Sequence, residues 1–231
     1  LSIQEYHERR KIDAHIFTLL PAGHIAGSAM LHVQHCETGA SLLYTGDYKL
    51  RASRNIESAI LLKADTLIME STFGLPRYIL PSASSIEEQL CEFVRSAIAD
   101  GATPVLLGYS LGKAQEIAAI LHAHNLPFLE TPTVALMTDA CRETGMRLPA
   151  PEVWRGEMPS GNALIAAPQF RRHPDYARLT NPRSAIMTGW ALNPGARFRY
   201  GCDAAIPLSD HADFPDLLRT AEIVNAARII T

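Results

Sequence analysis

The chain has 231 residues, 47% of them apolar and 19% charged. That balance suits one large or two small globular domains and excludes a disordered or fibrous chain. The net charge of −3 excludes a surface that is basic throughout, so any phosphate-binding surface must be local.

The first seventy residues read as β-rich. Residues 15–20, 29–35 and 41–45 are short apolar or alternating runs bounded by turn formers, and 66–69 is a buried-strand run. Pro76 and Pro81 then frame the Ser-rich stretch 82–85, which marks a boundary. A helix is expected over 86–99, capped by Ser84 or Ser85, with Glu87 and Glu88 in its first turn and Gly101 stopping it. Strand 104–107, helix 111–123, strand 127–129 and helix 133–144 follow. This βαβα alternation predicts a parallel sheet with helices on its faces. Strand-like runs return at 163–166, 185–187 and 204–208, and a helix with Pro215 at its first position covers 215–226. Residues 226–231 read as a strand cut off as it forms, and Leu1 stands where an initiator Met would. The chain is therefore expected to be a piece of a longer protein. No apolar run reaches membrane-spanning length and no signal peptide opens the chain, so a cytoplasmic location is expected. The four cysteines have no C-x-x-C spacing and read as free thiols.

The chemistry-bearing residues sit at strand ends. Leu42-Leu43-Tyr44-Thr45-Gly46-Asp47 is an apolar run that delivers a carboxylate, and Leu67-Ile68-Met69-Glu70 does the same with a glutamate. Ile206-Pro207-Leu208-Ser209-Asp210-His211 delivers a histidine among acids. His24 lies in Pro21-Ala22-Gly23-His24-Ile25-Ala26-Gly27-Ser28, where small neighbours allow close approach. In layered α/β proteins ligands gather beyond the carboxyl ends of strands. His and Asp are suitable zinc ligands, and a bridging Asp suits a two-metal site. Taken singly, each has a bland role as a turn or cap residue; the combination and its order carry the reading.

That combination resembles the metallo-β-lactamase superfamily, in its β-CASP nuclease branch. Pro-Ala-Gly-His24-Ile-Ala-Gly-Ser resembles the motif whose His binds one metal, and Tyr-Thr-Gly-Asp47-Tyr resembles the motif whose Asp bridges two. Met-Glu70-Ser-Thr-Phe-Gly is similar to motif A, and Ser-Asp-His211-Ala-Asp-Phe to motif B. The resemblance implies an α/β fold: a partial metallo-β-lactamase αββα sandwich over residues 1–75 and 204–231, with a β-CASP α/β domain inserted at 76–203. It implies a metal-dependent nuclease that hydrolyses phosphodiester bonds of DNA or RNA with two divalent cations, Zn²⁺ or else Mn²⁺. His24 and Asp47 would be ligands, and His211 would be the proton donor to the leaving oxygen, positioned by Glu70. The H-x-H-x-D-H metal motif is expected before residue 1 and motif C beyond Thr231, so the ligand set is incomplete and the fragment alone is expected to bind metal weakly and not turn over.

Finer likenesses lean toward DNA. Tyr109-Ser110-Leu111-Gly112-Lys113 and Thr188-Gly189-Trp190 are similar to segments of Artemis-like repair nucleases. Residues 207–217 resemble bacterial exonucleases associated with ATP-dependent DNA ligase, which implies ligase and helicase repair proteins as partners. Glu70 in place of Asp is instead similar to the RNA 3′-end-processing branch. Substrate grip is expected from Ser110, from Lys113 at a helix start, and from a cluster of Arg171, Arg172 and Arg183 with His173 and Tyr176. Two other functional classes remain open. Gly108-Tyr109-Ser110-Leu111-Gly112 fits the G-x-S-x-G of a serine hydrolase, with Asp203 and His211 following in triad order. A non-catalytic β-CASP scaffold subunit is the other.

Overall fold

A computed structural model describes residues 3–231. The elements are, in chain order, Arg9–Ile12 (β1), His15–Pro21 (β2), Ala29–His35 (β3), Ser41–Tyr44 (β4), Thr66–Ile68 (β5), Ala83–Ala99 (α1), Thr103–Leu107 (β6), Lys113–Ala123 (α2), Phe128–Glu130 (β7), Pro132–Glu143 (α3), Ala163–Ala166 (β8), Pro182–Met187 (β9), Ala196–Tyr200 (α4), Ala204–Ile206 (β10), Phe214–Val224 (α5) and Arg228–Ile230 (β11). The fold is α/β. Its described residues divide into two compact units, residues 3–79 with 210–231, and residues 80–209.

The first unit holds a six-stranded sheet in the order β1-β2-β3-β4-β5-β11. Its first four strands pair antiparallel, whereas β4, β5 and β11 run parallel. Leu20, Met30, Leu43 and Leu67 project from successive strands into one core with Leu217 and Val224 of α5. Among the described residues this is one sheet and one helix of the expected sandwich. The helix is started by Asp213, whose side chain accepts a hydrogen bond from the Asp216 amide at 3.1 Å, and Asn225 ends it in the left-handed region.

The second unit is a five-stranded, wholly parallel sheet in the order β10-β9-β6-β8-β7. All five side chains of β6 and all four of β8 are buried, as expected of central strands covered on both faces. Helices α1, α2 and α3 supply one layer through Leu90, Val94, Ile117, Leu121 and Val134. Trp154, Phe170 and Leu179 cover the other face.

Two expectations shift. Helix α1 starts three residues earlier than the sequence reading, capped not by Ser84 or Ser85 but by Ser82, whose hydroxyl accepts from the Ser85 amide. Glu87 and Glu88 therefore fall beyond the first turn. The boundaries expected at 75/76 and 203/204 stand at 79/80 and 209/210. Residues 204–206 pair with β9, and Ile206 and Leu208 pack in the core of the second unit. Tyr78 stays with the first unit, its carbonyl accepting from the Phe214 amide and its ring against Phe73.

Candidate metal centre

The loop carrying His24 joins two antiparallel strands and is closed by its own backbone. The Ala22 amide donates to the Ser28 carbonyl, and the Ser28 hydroxyl accepts from the amides of His24 and Ile25, both at 3.2 Å. Gly23 is indispensable here. Its φ is +70°, and an added Cβ would stand 2.5 Å from the Lys49 carbonyl oxygen. The chain beyond β4 lies against this loop, because the Lys49 amide donates to the Ala22 carbonyl. Asp47 is thereby held beside His24, with 3.9 Å between Asp47 Oδ2 and His24 Nε2.

His24 is fixed from behind. Its Nδ1 lies 2.9 Å from the Asp210 carbonyl oxygen. A carbonyl only accepts, so Nδ1 carries a proton, and in the neutral ring the lone pair is then on Nε2. This is the arrangement by which metal-binding histidines are oriented.

Beyond β5 comes Glu70, whose side chain is only 6% exposed. It accepts from the Tyr48 amide at 2.8 Å and from His211 Nδ1 at 2.9 and 3.1 Å. Burial alone would raise the Glu70 carboxyl, but the hydrogen bond and charge of His211, the Tyr48 amide and the Thr72 hydroxyl together hold it below the usual carboxylate range. Burial likewise opposes a charge on His211, yet Glu70, joined by Asp47 and Asp210, raises its pKa. His211 is placed by the segment that enters α5, where the Ala212 amide donates to the Tyr48 carbonyl at 2.7 Å. Tyr48 is itself anchored, buried with its hydroxyl on Thr220. The rings of His24 and His211 stand 4.8 Å apart.

His24, Asp47 and His211 each offer a ligating atom, all within 4.8 Å of one another. Two imidazoles and a carboxylate are a donor set that fits a divalent transition metal. His211, expected beside the metal as a proton donor, thus stands among the residues that could ligate as well. The Asp210 carbonyl and the Tyr48 amide were not foreseen. Both act through backbone atoms, which leave no mark on side-chain identity.

The expected substrate contacts fare differently. Lys113 is not presented to solvent; it is 4% exposed, and its Nζ donates to the Leu208 carbonyl at 3.3 Å. The amide of Gly112 before it donates instead to Gln115 Oε1. Ser110 is half-buried on the loop after β6. Arg171 and Arg172 are exposed beyond the end of β8, with Arg171 donating to the Tyr200 carbonyl. Arg183 leaves the expected cluster. It lies near the start of β9, paired with Asp100 at 2.7 Å, so the parallel order puts it at the opposite end of the sheet from Arg171 and Arg172. The acid and the histidine of the serine-hydrolase reading each have another partner. Asp203 accepts from the Ser184 amide at 2.7 Å, and His211 Nδ1 is held by Glu70. No disulfide joins any of the four cysteines.

No family model matches the chain. A protein named "Probable DNA ligase" from Opitutus terrae is 44% identical over 214 residues, 93% of this chain and 21% of that protein. An "RNase J-like protein" from Methanocaldococcus jannaschii is 37% identical over 120 residues, 51% of this chain and 28% of that protein. "Endoribonuclease YSH1" from Eremothecium gossypii is 35% identical over 119 residues, 51% of this chain and 15% of that protein. The chain thus spans between 15% and 28% of the lengths of these relatives.

Proposed function

The chain belongs to the metallo-β-lactamase-fold β-CASP family, and from that premise we propose that it is part of a metal-dependent nuclease that hydrolyses phosphodiester bonds. One observation carries the reading: two histidines and an aspartate at three separate chain positions bring ligating atoms within 4.8 Å of one another. In this reading the first unit is the metallo-β-lactamase part, and residues 80–209 form the inserted β-CASP domain that grips the polymer.

His24 and Asp47 would hold the metal, with Zn²⁺ or Mn²⁺ suited to the donor set. When bound, a divalent cation polarises a phosphoryl oxygen and makes water acidic enough to act as a nucleophile near neutral pH. The chain's own residues do the rest. The Asp210 carbonyl accepts the hydrogen bond of His24 Nδ1, which leaves Nε2 as the nitrogen that faces a metal. Glu70 accepts from His211 Nδ1, which turns Nε2 toward the site and favours the protonated ring. That ring donates to the oxygen leaving phosphorus.

His211 has two uses in this geometry, acid or ligand, and a variant separates them. His211→Ala should cut kcat roughly a hundred- to ten-thousand-fold in the full-length protein while metal content by elemental analysis stays near wild type. Loss of metal in step with activity would make His211 a ligand instead.

DNA is the favoured polymer, because similarity to a protein named for DNA ligation runs over 93% of the chain. An association with an ATP-dependent ligase and exonuclease action on DNA ends in the cytoplasm go with that reading. RNA is the second reading, favoured by the relatives named for ribonuclease activity over half of the chain. Full-length protein incubated with labelled single-stranded DNA and RNA, with Mn²⁺ or with a chelator, decides. Cleavage of DNA in preference, lost with the chelator, is expected. Cleavage of neither polymer, or cleavage indifferent to the chelator, would refute the nuclease.

A further inference from the structure

Tyr48 follows Asp47 directly, and each of its polar groups holds a part of the site. Its amide donates to Glu70 Oε1 at 2.8 Å. Its carbonyl accepts from the Ala212 amide at 2.7 Å, next to His211. Its hydroxyl donates to Thr220 Oγ1 at 2.7 Å, inside helix α5. One residue thus touches the acid, the segment that carries the histidine, and the helix which that segment enters.

Packing alone gives no reason for the hydroxyl. Tyr48 and Thr220 are both fully buried, and the Tyr48 ring belongs to the apolar core with Leu20, Met30, Leu43 and Leu217. A phenylalanine would fill that core as well. A hydroxyl taken into it costs free energy that only a partner offsets. Thr220 is that partner, and its own hydroxyl donates onward to the Asp216 carbonyl at 2.9 Å, so both are satisfied. The contacts of Leu217 and Val224 with the sheet are apolar and non-directional. They tolerate small turns and slides of α5. A buried hydrogen bond does not, because it weakens steeply off its direction. Helix α5 begins at Phe214, just after His211, so whatever fixes the helix also fixes the ring. Arg51 and Asp213, 3.6 Å apart, make a second tie between the same two segments.

We propose that Tyr48 is a positioning residue: through its hydrogen bond to Thr220 it sets the place of α5, and with it the alignment of the Glu70–His211 pair against Asp47. It acts through these groups, and its consequence for turnover rests on the nuclease reading above.

Full-length Tyr48→Phe, Thr220→Val and Thr220→Ser test this with two readouts. Thr220→Val keeps the shape of the side chain, and Thr220→Ser keeps the hydroxyl. The first readout is amide hydrogen exchange by mass spectrometry on metal-free protein in chelator. Tyr48→Phe and Thr220→Val should speed exchange about tenfold in segments 47–49 and 211–213 and leave β2 and β3 unmoved. Thr220→Ser should match wild type. Exchange that is unchanged, or that rises alike across the first unit, would overturn the inference. The second readout is cleavage kinetics on labelled single strands. In Tyr48→Phe and Thr220→Val kcat should fall about tenfold, with KM and bound metal within about twofold of wild type. The double variant should be no slower than the slower single one, because both changes remove one bond. A wild-type kcat in the single variants, or effects that add, would overturn the inference as well. Wild-type protein that cleaves neither polymer would remove the nuclease reading, and the exchange measurement would still decide for or against positioning by Tyr48.

Discussion

Glu70 and His211 hold each other's charge, and the pair makes a pH signature. His211 has its pKa raised above the ordinary 6.5, so its contribution to stability is complete below 6.5 and is lost as pH rises through the raised value. Glu70 is lowered from 4.5, so its contribution is complete above 4.5 and is lost as pH falls through the lowered value. In metal-free protein the pair therefore supports the fold most between 4.5 and 6.5. Glu70→Gln should shift the His211 titration, followed by NMR in chelator, to lower pH; an unmoved titration would mean that the carboxylate does not set the charge of the ring. Gly23 allows a sharper prediction. Gly23→Ala places a methyl group against the Lys49 carbonyl in a left-handed backbone. It should destabilise the chain by roughly 2 kcal/mol in urea unfolding and weaken metal binding, because the His24 loop must move. Glu130 carries no part of the metal centre but titrates in a telling range. Burial pushes its carboxyl up to about 7, with Asp139 adding to the rise and the Thr138 hydroxyl only partly opposing it. The folded state then binds the extra proton, so stability should fall as pH rises from 4.5 to about 7, by up to roughly 3 kcal/mol. Glu130→Gln should flatten that slope in urea unfolding followed across pH.

At the scale of elements, the site is made by strand ends and by the loops that leave them. The runs 42–47 and 67–70 were legible as strands delivering acids, because apolar residues run through the end of β4 and one residue past β5 before the acids follow. The second unit was legible as a parallel sheet for a related reason, the alternation of buried runs with helical spacing. Strand β1 was not legible. Its sequence Arg9-Arg10-Lys11-Ile12 is mostly charged and lies at a sheet edge, and pairing with β2 through a turn at Asp13, φ +51°, is a tertiary fact. The split of Arg183 from Arg171 and Arg172 was hidden likewise, since sequence proximity says nothing about which end of a parallel sheet a residue reaches. Helix α5 tests the link between element and site. Asp213 caps it and also pairs with Arg51 at 3.6 Å, two residues after His211. Asp213→Ala should cost about 1 kcal/mol from the lost cap in thermal unfolding, and should broaden or shift the His211 resonances more than those of α3. Equal shifts at both places would mean that the cap does not position the histidine.

For the whole molecule, the site residues come from four places along the chain, and Glu70 and His211 stand 141 positions apart in sequence. The same unit holds both, while the intervening chain forms a unit with its own sheet and core. Net charge of −3 fits a local rather than a global phosphate surface. If His24 and Asp47 share one metal site, removing either must weaken metal binding. Calorimetric titration of chelator-stripped full-length protein with Mn²⁺, for wild type and for Asp47→Ala, tests it most directly. Asp47→Ala should lose at least tenfold in affinity or one bound equivalent; unchanged affinity and stoichiometry would mean that the two residues do not share a metal.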